Sequence, residues 1–186
     1  MNIVVTGGAG FLGIRLARAL LAQDSLPDAA GPPLPLASLT LVDLFHPADP
    51  VLLADPRVRV LTGDLATLLA TRGTVIAPHT TSVFHLAAAV SGECEANFDL
   101  GLRVNFDTTR ALLEACRHVA SQPRLVFASS VAVFGGDLPA VVDDFTLPQP
   151  QNSYGIQKFM CEQLIADYSR KGFVDGRSVR LPTISV

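Results

Sequence analysis

Three residues in the C-terminal third of this sequence have the types and spacing for proton transfer. Tyr154 and Lys158 stand at i and i+4 in Tyr154-Gly155-Ile156-Gln157-Lys158, which puts them on one face of a helix. A free phenol titrates near ~10 and is a poor base at neutral pH. A neighbouring ammonium favours the phenolate, as does a positively charged cofactor ring. The pair could then take a proton from an alcohol. Ser130 closes a short apolar run at 125–128 and could donate a hydrogen bond to the same oxygen. Tyrosine and lysine share this spacing on many helix surfaces, so its meaning depends on what precedes it.

What precedes it is a glycine-rich turn near the start of the chain. Ile3, Val4 and Val5 form a β-branched run, followed by Thr6-Gly7-Gly8-Ala9-Gly10-Phe11-Leu12-Gly13 and then an amphipathic pattern through Leu16, Ala17, Leu20 and Leu21. Gly7, Gly10 and Gly13 therefore lie between a strand and a helix. Gly7 would allow the tight turn, Gly10 a close approach of backbone to a pyrophosphate, and Gly13 close packing of helix on sheet. The free N–H groups and dipole of the helix N-terminus would face the phosphates. The alternative is that the glycines merely turn the chain.

The remaining elements alternate. Strands are expected at 39–42, 58–61, 82–86, 125–128 and 177–181, and helices at 66–72, 98–120 and 153–170, the last capped by Ser153. The order strand–helix–strand predicts an α/β fold, a Rossmann-type doubly wound parallel sheet in three layers. Residues 26–38 hold Pro27, Pro32, Pro33 and Pro35 and read as an inserted loop. Asp43 ends the second strand, where a carboxylate could accept hydrogen bonds from an adenosine ribose and repel a 2′-phosphate. It could also be a strand-end acid in solvent. Asp64 could meet an adenine amino group or cap the helix after it. His85 reads as a packed strand-end histidine. Asn105, inside a helix, would either hold a backbone group or water near the site or lie exposed.

Bulk properties narrow the class. The chain has 186 residues, enough for one domain with a real core. Its 49% hydrophobic and 17% charged content suits a sheet buried on both faces. A net charge of −3 argues against nucleic acid or an anionic membrane as partner. No window approaches the ~20 apolar residues of a membrane span, and no basic and apolar leader precedes the first strand. Cys94, Cys116 and Cys161 have no metal-ligand spacing, which predicts buried reduced thiols in a cytoplasmic protein and no metal.

In combination these residues resemble the extended short-chain dehydrogenase/reductases, specifically the NAD-dependent epimerase/dehydratase family. The matching pieces are Thr6 to Gly13, Asp43, Gly63-Asp64-Leu65, His85-Leu86-Ala87-Ala88, Asn105, Ser129-Ser130, and Tyr154 with Lys158. The resemblance implies NAD held by Gly7, Gly10, Phe11, Leu12, Gly13, Asp43, Asp64, Leu65, Leu86, Ala87 and Ala88, with Tyr154 and Lys158. It implies Tyr154 as general base, Lys158 lowering its pKa and holding the ribose, Ser130 steadying the reacting hydroxyl, and Asn105 completing a tetrad. Within the family, the stretches 85–105, 129–144 and 180–186 are most similar to dehydrogenases of small sugar acids of the D-erythronate type, with Ser91, Gly92, Ser130 and Tyr154 at the substrate. Phe134 stands where epimerases of the family commonly carry tyrosine, and Thr108 where many carry glycine. A nucleotide-sugar 4-epimerase or dehydratase, and a non-catalytic NAD-binding fragment, remain the alternatives. Family members continue past the sixth strand into a smaller substrate domain, so the resemblance implies a truncated chain. It also implies a homodimer through the helices at about 98–120 and 153–170.

Overall fold

The sheet is wholly parallel, and its strand order reverses direction next to the first strand. In the computed structural model, which describes residues 1–23, 25–27 and 31–184, six strands lie in the order β3-β2-β1-β4-β5-β6. They are β1 (Asn2–Thr6), β2 (Ser38–Asp43), β3 (Val58–Thr62), β4 (Ser82–His85), β5 (Arg124–Ser130) and β6 (Asp175–Leu181). The chain leaves β1 toward β2 on one side and returns to β4 on the other. That reversal opens a crevice at the carboxyl ends of β1 and β4, the place where open α/β sheets bind ligands.

Alternation along each strand supplies two cores. Val4, Val42, Val83, Leu125 and Phe127 point to one face and pack with Leu112, Leu113, Cys116, Cys161 and Ile165. Ile3, Val5, Leu39 and Leu41 point to the other and pack with Ala17, Leu20, Leu36 and Leu52. The first core is covered by α3 (Leu65–Ala70), α6 (Thr108–Arg117) and α7 (Ser153–Arg170); the second by α1 (Phe11–Leu21) and α2 (Pro50–Leu53). This is the expected three-layer doubly wound architecture. Within the proline-rich 26–38 stretch, Leu26 bridges Leu34 and Leu36 is 4% exposed, so the loop is pinned to the second core. Its residues 28–30 lie outside the described ones.

Several local expectations need correction. The helix expected at 98–120 is three continuous segments: α5 (Phe98–Gly101), a π-helical turn (Leu102–Asp107), and α6, which ends at Arg117. Residues 91–96, not anticipated as helix, form α4 (Ser91–Ala96). The cap of α7 is Asn152, whose Oδ1 accepts from Gly155 N at 2.7 Å; the Ser153 N–H is instead taken by Glu95 Oε1. A carboxamide at the N-cap reaches the third helical N–H as readily as a hydroxyl does, and spacing alone could not separate two adjacent candidates. β6 starts two residues before the expected Arg177.

The end of β6 is tied to α7 by an ion pair whose carboxylate is buried and whose guanidinium is partly exposed. Glu162 is 6% exposed. It takes a bidentate contact from Arg180, at 3.1 Å from Nε to Oε1 and 2.8 Å from Nη2 to Oε2, and a further hydrogen bond from Ser129 Oγ at 2.5 Å. Removing one partner of such a pair leaves a buried charge unpaired. Arg180→Leu is therefore expected to lower unfolding stability in urea by ~3 kcal/mol. The double change with Glu162→Leu should recover most of that loss.

Candidate functional site

A cleft of about 420 Å³ fills the crevice at the strand switch point. Its walls come from four turns that follow strands. Gly7, Gly10, Phe11, Leu12 and Gly13 come from the turn after β1; Asp43 from the end of β2; Asp64 and Leu65 from the turn after β3; Leu86, Ala87 and Ala88 from the turn after β4. All eleven of these residues were singled out in the sequence. The structure adds Val42, Leu44, Gly63, Val104, Thr108 and Ala128. Val104 and Thr108 come from the helix beginning at Phe98, whose distance in sequence hid their place on this wall.

The glycines have measurable reasons. Gly7 has φ +71°, and a Cβ there would lie 2.8 Å from Ala87 N. That φ favours glycine, and the gap between the turns after β1 and β4 has no room for a side chain. A Cβ on Gly13 would lie 2.2 Å from Gly7 O, so Gly13 packs against the turn itself rather than against the sheet. Asp43 serves this turn too. Its Oδ2 accepts from Ala9 N at 2.9 Å and its Oδ1 from Phe45 N at 3.3 Å. Asp64 caps α3 through Thr67 N at 2.8 Å and Thr67 Oγ1 at 2.9 Å, and those bonds hold its carboxyl below the usual range. Of its two possible roles the structure displays the cap, on a residue that also lines the cleft.

Tyr154, Lys158, Ser130 and Asn105 gather beside this cleft, joined to it at Ala128. Lys158 is 2% exposed, and its Nζ donates to Ala128 O at 2.9 Å. The ammonium lies 4.6 Å from the centre of the Phe127 ring and 5.6 Å from that of Tyr154. Burial pulls its pKa down to about 8. The Tyr154 phenol is raised, because burial outweighs the Ser130 hydroxyl beside it. This is opposite to the direction expected from the Tyr–Lys spacing: the ammonium is hydrogen-bonded to a backbone carbonyl, and desolvation dominates. Ser130 Oγ accepts from Ala132 N at 3.1 Å, capping the 3-10 turn Val131–Val133. A Cβ on Gly155 would lie 2.1 Å from Ala132 O. Only a residue without one lets α7 approach that turn and carry Tyr154 up to Ser130.

Asn105 is 2% exposed, so the exposed alternative falls away. Its side chain pairs with one residue in both directions, accepting from Ala89 N at 2.8 Å and donating to Ala89 O at 3.2 Å. That double contact fixes the amide orientation, and leaves its nitrogen 2.8 Å from the Gln157 carboxamide and 3.2 Å from Cys94 Sγ. Asn105 thus holds a backbone group, one residue past the cleft wall. Ser91 and Gly92 open α4 immediately beyond, exposed and outside the residues that line the cleft; a Cβ on Gly92 would meet nothing within 4 Å.

His85 is packed, as expected, with 1% exposure, Nδ1 at 2.7 Å from Thr6 Oγ1 and Nε2 at 2.9 Å from Thr109 Oγ1. Burial lowers its pKa to about 3, with the Lys158 charge adding to the effect. Cys94, Cys116 and Cys161 are all buried and unpaired. Among the described residues no cluster of three or more His, Cys, Asp or Glu could hold a metal, and no helix is long and apolar enough to cross a membrane.

The histidine generates a pH prediction. Its folded pKa lies below its unfolded one, so the unfolded chain binds the extra proton. Stability is then full above about 6.5 and declines as pH falls toward 3. Urea unfolding between pH 6.5 and 5, above most carboxylate titrations, should lose stability with a limiting slope of ~1.4 kcal/mol per pH unit. That slope should be absent in His85→Gln.

Comparison with known proteins adds the following. The model of the NAD dependent epimerase/dehydratase family matches residues 3–185. D-erythronate dehydrogenase of Cupriavidus necator is 56% identical over all 186 residues, which cover 56% of that protein. D-erythronate dehydrogenase of Haemophilus influenzae is 47% identical over the same span, again 56% of its length. The crystal structure of a nucleoside-diphosphate-sugar epimerase from Agrobacterium tumefaciens superposes with a TM-score of 0.82 at 41% identity, covering 99% of this chain and 53% of that one. The chain thus spans about half the length of the relatives it matches. With its glycine turn, strand order and tyrosine–lysine helix in agreement, this chain belongs to the NAD dependent epimerase/dehydratase family.

Proposed function

We propose that this chain binds NAD in the cleft at the strand switch point and serves the oxidation of a hydroxyl on a small sugar acid of the D-erythronate type. The observation that carries the reading is that Lys158, beside Tyr154 and Ser130, bonds the carbonyl of Ala128, which itself lines the glycine-cradled cleft. The cradle fits a dinucleotide: Gly7, which lines the cleft, lies so close to the backbone of Ala87 that it can carry no side chain to block a phosphate. In this reading Gly7, Gly10, Phe11, Leu12 and Gly13 hold the pyrophosphate end. Asp43 takes the ribose hydroxyls and disfavours a 2′-phosphate, and Asp64, Leu65, Leu86, Ala87 and Ala88 complete the walls. The bound nicotinamide supplies the hydride acceptor.

The chain's own residues handle the proton. Tyr154 takes it from the substrate hydroxyl, Ser130 donates a hydrogen bond to that oxygen, and the Lys158 charge stabilises the phenolate and holds the cofactor's ribose. Asn105 fixes Ala89 and so the approach to Ser91 and Gly92, which face the substrate. The names of the relatives from Cupriavidus necator and Haemophilus influenzae support a sugar acid as substrate. The exposed apolar residues Ile156 and Met160 on α7 and Phe98 on α5 support pairing of two copies through these helices. Three unpaired buried thiols and a net charge of −3 support a cytoplasmic protein without a nucleic-acid partner.

The likeness to a nucleoside-diphosphate-sugar epimerase favours a second reading, in which a sugar nucleotide is oxidised and re-reduced on the enzyme. The two differ in net chemistry. On mixing the chain with NAD and D-erythronate, NADH absorbance should rise, with none on mixing with a UDP-sugar; the reverse reading yields no net NADH from either. Tyr154→Phe should lower the rate by ~100-fold or more. Because burial raises the Tyr154 phenol, the phenolate fraction grows with pH and kcat/KM for oxidation should climb between pH 7 and 9. A profile already flat at pH 7 would remove Tyr154 as the base.

A further inference from the structure

A buried chain of hydrogen bonds runs from the cleft wall to Asn105, and its direction is set at the Asn105 end. Ala87 N can only donate, and it gives its hydrogen to Thr6 Oγ1 at 3.3 Å. Asn105 O can only accept, and it takes the hydroxyl hydrogen of Thr109 at 2.5 Å. A hydroxyl has one hydrogen to give. Thr109 spends its hydrogen on Asn105 O, so its oxygen accepts from His85 Nε2 at 2.9 Å. His85 therefore carries its proton on Nε2, and Nδ1 is the acceptor for Thr6 Oγ1 at 2.7 Å. Every member is buried or faces the cleft wall, and each polar atom has its partner.

Both ends of this chain act on one short segment. At one end Thr6 holds Ala87, which lines the cleft and faces Gly7. At the other, the residue whose carbonyl receives the chain is Asn105, whose side chain grips both N–H and C=O of Ala89. The two ends are carried by β1 and by the π-turn and α6, elements joined here through the last residue of β4.

We propose that His85, as the neutral Nε2–H tautomer, is a positioning residue that sets the Ala87–Ala89 wall through Thr6 on one side and Thr109–Asn105 on the other. The inference rests on the reading above for its effect on catalysis, but the tautomer does not depend on that reading. A glutamine cannot span Thr6 and Thr109 with the same donor and acceptor in line, and a valine at Thr109 removes the link while keeping the shape.

Two measurements test this. Long-range nitrogen–proton NMR of the 15N-histidine-labelled chain should show His85 protonated on Nε2 and unprotonated on Nδ1 at pH 7; the opposite tautomer, or a doubly protonated ring, overturns the proposal. Thr109→Val should lower kcat for hydroxy-acid oxidation by ~10- to 100-fold, as expected for a misplaced wall, with KM for NAD little changed and Thr109→Ser restoring the rate. Unchanged kcat in a folded Thr109→Val overturns the role. If the unmodified chain itself forms no NADH, the sugar-acid reading fails while the tautomer still decides the hydrogen-bond assignment. If Thr109→Val does not fold, rates in Thr109→Ser and His85→Gln decide: a loss in His85→Gln alone supports the link, and equal rates in both and in the unmodified chain sink it.

Discussion

The close approach of Gly7 to Ala87 is the constraint from which the rest follows. Two parallel strands, β1 and β4, lie side by side, yet their chains leave in opposite directions, and the turns that follow them meet backbone to backbone. A side chain at Gly7 would pry them apart. Because the contact is backbone only, the polar groups around it must be satisfied from nearby. Asp43 takes the N–H of Ala9, Thr6 takes that of Ala87, and Asn105 takes that of Ala89. The cleft is thus held open by short polar side chains whose primary partners are backbone groups.

The same economy appears on the catalytic side. Burial acts on Tyr154, Lys158 and His85 together, and it acts against charge in each. A lysine that is fully sheltered, hydrogen-bonded to one carbonyl and set against an aromatic ring, exchanges its proton more readily than one in water. The price of that sheltering is met by packing on both sides of α7. Gly155 closes on the turn after β5, and Glu162 is locked to Arg180 at the sheet edge.

Much of this was legible in the sequence because it is local. β-branched runs gave the strands, the glycine turn gave the first crossover, and Tyr154 with Lys158 needed only a helix to be brought together. The eleven cleft residues expected from motif positions all line one cavity, since each sits within a few residues of a strand end. What was not legible is tertiary or a matter of one residue's register. The Glu162–Arg180 pair joins residues 18 apart on different elements, and nothing in their spacing marks it. Thr109 is one threonine beside another until His85 is seen above it. Asn152 and Ser153 are both good caps, and only the helix's true start chooses between them. The direction of the Tyr154 shift was misjudged from spacing because helix geometry says nothing of what else a lysine nitrogen will find.

At the π-turn Leu102–Asp107 a continuous helix departs from its own periodicity. An α-helix advances about 100° per residue, so one added residue rotates everything on its far side by more than a quarter turn. The segment before it can aim Gly101 at Gln157 while the segment after it buries Leu112, Leu113 and Cys116 in the sheet's core. An unbroken α-helix would satisfy one of these faces and forfeit the other. The extra residue therefore acts as a phase shifter, letting a single rod answer to two surfaces with different pitch.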